Sequence, residues 1–345
     1  MPSNNKKNEN CWTERHEISS HCLVGAVAFQ GRSSHMEDAF KIIPNINGSD
    51  VSIYGIFDGH AGEFAARYAS DIILPTIADK ISVTMNQIQM KIENSKKPKV
   101  ENEDESEIET EKEILNPYIT EDNKINYKLL LHEEIIAADK ILIERMSRAL
   151  LFCGTTLCVV LIDISNKLII CANVGDSRAV LCDNKGRAIA LSHDHKPNDL
   201  LEMERIRKNG GFISNKEGCW RVEGSLATSR SLGDYPLKMK KVIIATPDII
   251  SFKFKDFKFF PKFLIIASDG LWDVFDNQQA CDYMKEKLRE HHCGARSLMK
   301  KAYAKRSSDN ISVISIRFIK PKKPKTLSSL DPCSGTYEWL RWIPF

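Results

Sequence analysis

Three times this chain joins a strand-length apolar run to a turn that carries an aspartate. The run VSIYGIF (51–57) ends on Asp58-Gly59-His60, FLIIA (263–267) ends on Ser268-Asp269-Gly270-Leu271-Trp272-Asp273, and Ser308-Asp309-Asn310 precedes the closing strand Ile311–Phe318. Short apolar runs bounded by turn residues read as buried strands. Taken singly, an Asp-Gly after a strand is an ordinary turn. Two further acidic places, Glu37-Asp38 in GRSSHMEDAF and Asp176 in NVGDSRAV, adjoin apolar runs in the same way. Burial makes ionising such neighbouring carboxylates costly, so Glu37 and Asp38 are either held by something cationic or left in water.

The remaining periodicity places the elements around these turns. TLCVVLIDI, KLIICANV and AVLCD read as a strand meander with turns at Ser165-Asn166 and Gly175-Asp176. A helix is expected after residue 60, with Phe64, Tyr68 and Ile72 on one face. Another spans 127–149, carrying Leu130, Ile135, Ala138, Ile141, Leu142 and Met146; further helices are expected at 198–210 and from Asn277 to Glu290. Many strands and several long helices without regular βαβ alternation predict an α+β fold with antiparallel sheets. The first 20 or so residues are polar and expected to be loose. Residues 91–125 form an acidic, disordered insertion, since eight of the thirteen residues 101–113 are acidic and bury no core. A docking or phosphorylation segment is the alternative reading of that run. After Phe318 come the basic linker KPKKPK and the aromatic end YEWLRWIPF.

Composition narrows the class without choosing one. A hydrophobic share of 42%, a charged share of 28% and a net charge of +3 over 345 residues describe a soluble globular chain, and point to neither nucleic acid nor a membrane surface. No apolar run approaches the ~18–20 residues that span a bilayer, and the polar N-terminus lacks a signal-peptide core. The ten cysteines include no C-x-x-C pair; Cys158 and Cys171 sit inside apolar runs as small core residues. This predicts a reducing compartment, cytoplasm or nucleus.

If the acidic turns converge, they make a site rich in carboxylate oxygen and poor in sulfur and imidazole. Mg²⁺ or Mn²⁺ prefers such a shell, and zinc does not. Two such ions sharing a carboxylate activate one water and grip a phosphoryl oxygen. Cys153 beside Gly154 lacks the C-x₅-R loop of a cysteine phosphatase, and the glycine-rich stretch 210–225 lacks P-loop spacing.

The ordered set MEDAF, FDGHAG, CGTTL, ANVGDSRAVL, LSHDHKP, SRSLGD, ASDGLWDVF and DNISV resembles the metal-dependent Ser/Thr protein phosphatases, the protein phosphatase 2C family, over about residues 22–319. LSHDHKP, GGFIS and SRSLGDYPLK are most like its protein phosphatase 1-like branch. The resemblance implies a sandwich of two antiparallel sheets flanked by helices (α/β/β/α), preceded by a flexible segment 1–21 and followed by the tail 320–345. It implies two Mg²⁺ or Mn²⁺ ions per subunit in a cleft at one end of the sheets. By motif match Asp58 bridges the ions, the Gly59 carbonyl, Asp269 and Asp309 bind them, and Glu37 and Asp38 hold metal-bound waters. Asp176 and Asp273 match a weaker third site. His60 matches the residue that protonates the leaving alkoxide, a hydrogen-bonding role near the ligands being its alternative. The implied reaction is direct attack of a metal-bound hydroxide on phosphoserine or phosphothreonine of protein substrates, by a monomer. His193 and His195 become structural or flap-adjacent, and residues 210–225 match the flap beside the active site.

One position departs from the family. The usual form is Gly-x-Arg-x-x-Met-Glu-Asp, its arginine binding substrate phosphate; counted from Gly31 and Met36, that place is Ser33, and Arg32 stands one residue early. In an extended strand such a shift turns a side chain to the other face. Two readings follow: a phosphatase with a weakened phosphate grip, or a binding or scaffold protein on a phosphatase fold.

Overall fold

The computed structural model describes residues 11–18, 21–96, 116–254 and 261–319. Two antiparallel sheets form its centre. The five-stranded sheet runs Asp248–Lys253, Leu168–Val174, Leu157–Asp163, Val51–Phe57, Ala39–Ile43 in spatial order; the six-stranded sheet runs Cys11–Ile18, Cys22–Phe29, Ile311–Phe318, Phe263–Ala267, Arg178–Cys182, Ala188–Ala190. The central apolar runs Val51–Phe57, Leu157–Asp163 and Phe263–Ala267 have no polar face because these strands are covered on both sides. In Leu157–Asp163, Cys158, Val160 and Ile162 meet Ala26, Leu264 and Ile314 of the other sheet, while Leu157, Val159 and Leu161 pack against helices. In Phe263–Ala267, Phe263, Ile265 and Ala267 face helices on the opposite side of the molecule. The period-2 alternation of a strand thus yields four layers, helices outside and sheets within.

Helix Tyr127–Ala149 falls where the periodicity puts it, and Asn126 caps it by accepting from the Leu129 N–H at 3.2 Å. The strands Val51–Phe57, Phe263–Ala267 and Ile311–Phe318 also coincide with their apolar runs. No described helix is long and apolar enough to cross a membrane.

Several expectations need correction. The meander breaks after Leu168–Val174: the free edge of that strand is taken by Asp248–Lys253, and Arg178–Cys182 crosses at Gly175-Asp176 to pair with Phe263–Ala267 in the other sheet. Residues 11–18 are not loose. They pair from Cys11↔Phe29 to Ile18↔Cys22 as an edge strand, where a backbone ladder forms without an apolar pattern. After residue 60 the helical face is shifted: Tyr68 is buried as expected, together with Ala65, Ala66, Ala69, Ile73 and Leu74, whereas Phe64 and Ile72 are exposed. The insertion is narrower than 91–125. Helix Leu74–Lys96 runs into it, and Tyr118 on its far side is buried, its hydroxyl donating to Glu134 Oε1 at 2.9 Å. The acidic run 101–113 and the tail from 320 lie outside the described residues. Helix Asn277–Lys285 stops short of Glu290, because the chain turns to bury Leu288 and Cys293 before a further helix, Ala295–Ala304.

Candidate active site

Both sheets deliver their acidic turns to the same end of the sandwich. A cleft of about 650 Å³ opens there, lined by Glu37, Asp58, Gly59, His60, Asp176, Asp269 and Asp309 among others. Asp38 lies beneath it, buried, accepting a hydrogen bond from Ser268 Oγ at 2.8 Å. Asp273 stands one helical turn beyond Asp269, its N–H donating to the Asp269 carbonyl at 2.8 Å, with its side chain exposed. The seven carboxylates singled out in the sequence therefore gather in one region, across up to 272 residues of chain.

Short-range chemistry holds this arrangement. The Asn310 side chain, buried, accepts from the Glu37 N–H at 2.7 Å and donates to the carbonyls of Gln30 and His35, both at 2.8 Å. It stitches the 30–38 segment to the start of the closing strand. Asp58 is fixed through its backbone, its N–H donating to Thr156 Oγ1 at 3.0 Å. Glycine is required at 59, because a Cβ there would stand 2.3 Å from the Glu37 carbonyl oxygen.

The charges repel one another. Burial first, then the charges of Asp269, Asp38, Asp176 and Asp309, push the Asp58 carboxyl well above the carboxylate range. Burial raises Asp38 to about 7 despite hydrogen bonds from Ser312 and Ser268. Asp269 is raised by burial and by Asp176, and Asp273, on the rim, is raised by partial desolvation and by Asp176 against the opposing charge of Lys196. The nearest compensating cation is Lys196, whose Nζ lies 2.5 Å from Asp176 Oδ2. An oxygen-only donor set with unrelieved negative charge fits a hard divalent cation. Among the described residues no three His, Cys, Asp or Glu side chains already close on one point.

His60 has a partner that sequence reading did not find. Its Nε2 lies 2.8 Å from Asp234 Oδ2, which also accepts from Ser231 Oγ at 2.5 Å. Burial pulls the His60 pKa down, but Asp234, then Asp176 and Glu37, outweigh it, and the net direction is up. Gly154 makes room for the pair, since a Cβ there would fall 2.0 Å from Asp234 Oδ2 and 2.5 Å from His60 Nε2. Asp234 is held in place in turn: the N–H of Gly233 donates to Asp139 Oδ1 at 2.8 Å, and Asp139 forms a buried ion pair with Lys238 at 2.6 Å. The motif SRSLGD signals Asp234 only as a member of a set, and nothing local points it at His60.

Arg32 does not reach the cleft. Its Nη1 donates to the carbonyls of Tyr303 and Ser307 at 2.9 and 2.8 Å, and the guanidinium lies 4.0 Å from the Tyr303 ring centre. Ser33 does line the cleft. The segment is a turn, not an extended strand, but the two neighbours still point apart. His195 is buried, its Nδ1 accepting from the Gly175 N–H at 3.0 Å, a structural role. Burial raises the Cys153 thiol, the opposite of a nucleophilic cysteine. Residues 213–222 form a hairpin, Ile213–Lys216 against Cys219–Val222, whose Arg221 lines the cleft from above; Phe152, exposed and stacked on Tyr235, forms an apolar wall beside it.

A family model described as "Protein phosphatase 2C" matches residues 23–311. Protein phosphatase 1L of Bos taurus is 40% identical over 303 residues, 88% of this chain and 74% of that protein. Probable protein phosphatase 2C 69 of Arabidopsis thaliana is 34% identical over 299 residues, 86% of this chain and 70% of that one. The crystal structure of serine-threonine phosphatase 2C from Toxoplasma gondii matches with a TM-score of 0.69 at 22% identity, covering 89% of this chain and 99% of that one, a likeness of fold. The chain belongs to the protein phosphatase 2C family.

Proposed function

We propose that this chain hydrolyses phosphoserine and phosphothreonine in protein substrates at a dinuclear Mg²⁺ or Mn²⁺ site. Asp58, the Gly59 carbonyl, Asp269 and Asp309 would hold the two ions, Glu37 and Asp38 the waters around them, and Asp176 with Asp273 a weaker third. When bound, the ions supply an activated water and neutralise the phosphoryl oxygens. Asp234 orients the His60 imidazole at the cleft wall, where it can pass a proton to the departing serine or threonine oxygen. Ser268 and Ser312 keep Asp38 in place from below. The eight cysteines whose side chains are described, Cys22 through Cys293, are all free thiols, which suits a reducing compartment, cytoplasm or nucleus.

The observation that carries this reading is the crowding of half-buried Asp58, on the cleft wall, by the carboxylates of Asp269, Asp38, Asp176 and Asp309. Such repulsion costs stability unless divalent cations relieve it. The test is hydrolysis of a phosphothreonine peptide by the purified chain in millimolar Mn²⁺ or Mg²⁺, before and after chelation. Asp58→Asn and Asp269→Asn should abolish hydrolysis while making the metal-free protein more resistant to thermal unfolding. Turnover that survives exhaustive EDTA treatment, or near-normal turnover in either variant, would refute the assignment.

A further inference from the structure

Six carboxylates line the cleft, Glu37, Asp58, Asp176, Asp234, Asp269 and Asp309, and Arg221 is the one Lys or Arg that lines it among the described residues. A phosphate monoester entering this cleft carries two negative charges into an acidic wall, so it needs a fixed cation besides the metals. Position 33 supplies a hydroxyl in place of an arginine, and the Arg32 guanidinium is occupied by the Tyr303 and Ser307 carbonyls. Arg221 is differently placed. It belongs to the strand Cys219–Val222, and its Nη1 donates to the Ser225 carbonyl at 2.5 Å within the same loop. That bond anchors one of its five N–H donors. Among the described residues it pairs with no carboxylate, so the rest of the fork is available to an oxyanion.

We infer that Arg221, presented by the hairpin above the cleft, is the side chain that grips the substrate phosphate in this chain, in the place that Ser33 leaves uncharged. The inference rests on the phosphatase reading above and adds the residue that sets affinity for the phosphoryl group. Binding through the hairpin also couples recognition to a two-stranded element that pairs with neither large sheet. Hairpin position should then govern KM more than kcat.

The test uses the Mn²⁺-loaded full chain, with inorganic phosphate as competitive inhibitor of phosphopeptide hydrolysis. Arg221→Ala should raise both the inhibition constant of phosphate and the KM about 10- to 100-fold, the range for losing a charge-assisted contact, with kcat changed far less. Arg221→Lys should recover part of the loss. Ser33→Arg placed in the Arg221→Ala background should restore phosphate inhibition by a larger factor than the same substitution gains in the wild type, because the two cations serve one phosphoryl group; equal gains in the two backgrounds would mark Arg221 as merely structural and overturn the inference. Unchanged thermal unfolding establishes that the variants are folded. A folded Arg221→Ala protein with the wild-type phosphate inhibition constant overturns the inference while leaving the phosphatase reading intact. A wild-type chain that hydrolyses nothing in Mn²⁺ overturns both.

Discussion

Replacing Asp234 by asparagine should divide substrates by leaving group. Burial alone would depress the His60 imidazole, yet the Asp234 carboxylate 2.8 Å from Nε2, aided by Asp176 and Glu37, keeps its pKa raised. Asparagine keeps an oxygen at that place and removes the charge. A charge-assisted hydrogen bond contributes about 1.5–3 kcal/mol and a neutral one about 0.5–1.5, so the imidazolium loses about 1–2 kcal/mol. This corresponds to a rate loss of about 5- to 30-fold for any step that needs its proton. A serine alkoxide needs that proton to depart, whereas p-nitrophenolate leaves without it. The assay is kcat for a phosphoserine peptide and for p-nitrophenyl phosphate, measured at saturating Mn²⁺ on wild type and Asp234→Asn. The peptide rate should fall and the p-nitrophenyl rate should hold. Stability carries a matching sign. Because folding raises the His60 pKa above its ordinary 6.5, the contribution of the pair is complete below that pH and is lost as pH rises through the folded value. The Asp234→Asn variant should lack that pH-dependent part. Equal losses on both substrates, or none on either, would refute the reasoning.

Ser33→Arg should lower the KM for phosphopeptides by about 10- to 100-fold, while Arg32→Ala, which frees only the Tyr303 and Ser307 carbonyls, should leave hydrolysis intact; steady-state kinetics on one phosphopeptide checks both, and a crippled Arg32→Ala beside an inert Ser33→Arg would reverse the assignment. Glu202 is opposed by burial, yet hydrogen bonds from Arg230, Arg205 and Ser229 hold its carboxyl down to about 2 from an ordinary 4.5. At about 1.4 kcal/mol per decade this is about 3 kcal/mol of stability, complete above the ordinary value and lost as pH falls toward the folded one. Glu202→Gln should therefore be destabilised by that order in urea at neutral pH, with the gap to wild type closing in acid. Tyr118→Ala should cost about 3–5 kcal/mol by loss of buried ring contacts and the Glu134 hydrogen bond, and a denaturation midpoint unchanged from wild type would show that the segment before Tyr127 does not belong to the core.

Each site carboxylate was legible because it is the chain neighbour of an apolar run: Asp58 follows Phe57, Asp269 lies two residues after Ala267, and Asp309 stands two before Ile311. A strand buried on both faces announces its own ends, and a charge at such an end is a local signal. The groups that hold those charges have no local signal. Asp234 meets His60 across 174 residues, Lys238 meets Asp139 across 99, and Asn310 reaches Glu37 across 273. Their roles exist only once the sheets have stacked. The fold errors share this origin. Arg178–Cys182 follows Leu168–Val174 closely enough to read as its hairpin partner, but a distant segment, Asp248–Lys253, holds that edge, and only the other sheet can bury both faces of Arg178–Cys182. The same long-range choice puts Asp176 at the crossing between sheets, beside Asp58 and Asp269, where its charge raises both. A mutation that kept Asp176 within a single-sheet meander would remove it from the cleft without changing the sequence motif around it. Motif and site are therefore separable here, and the crossing at Gly175-Asp176 is what joins them.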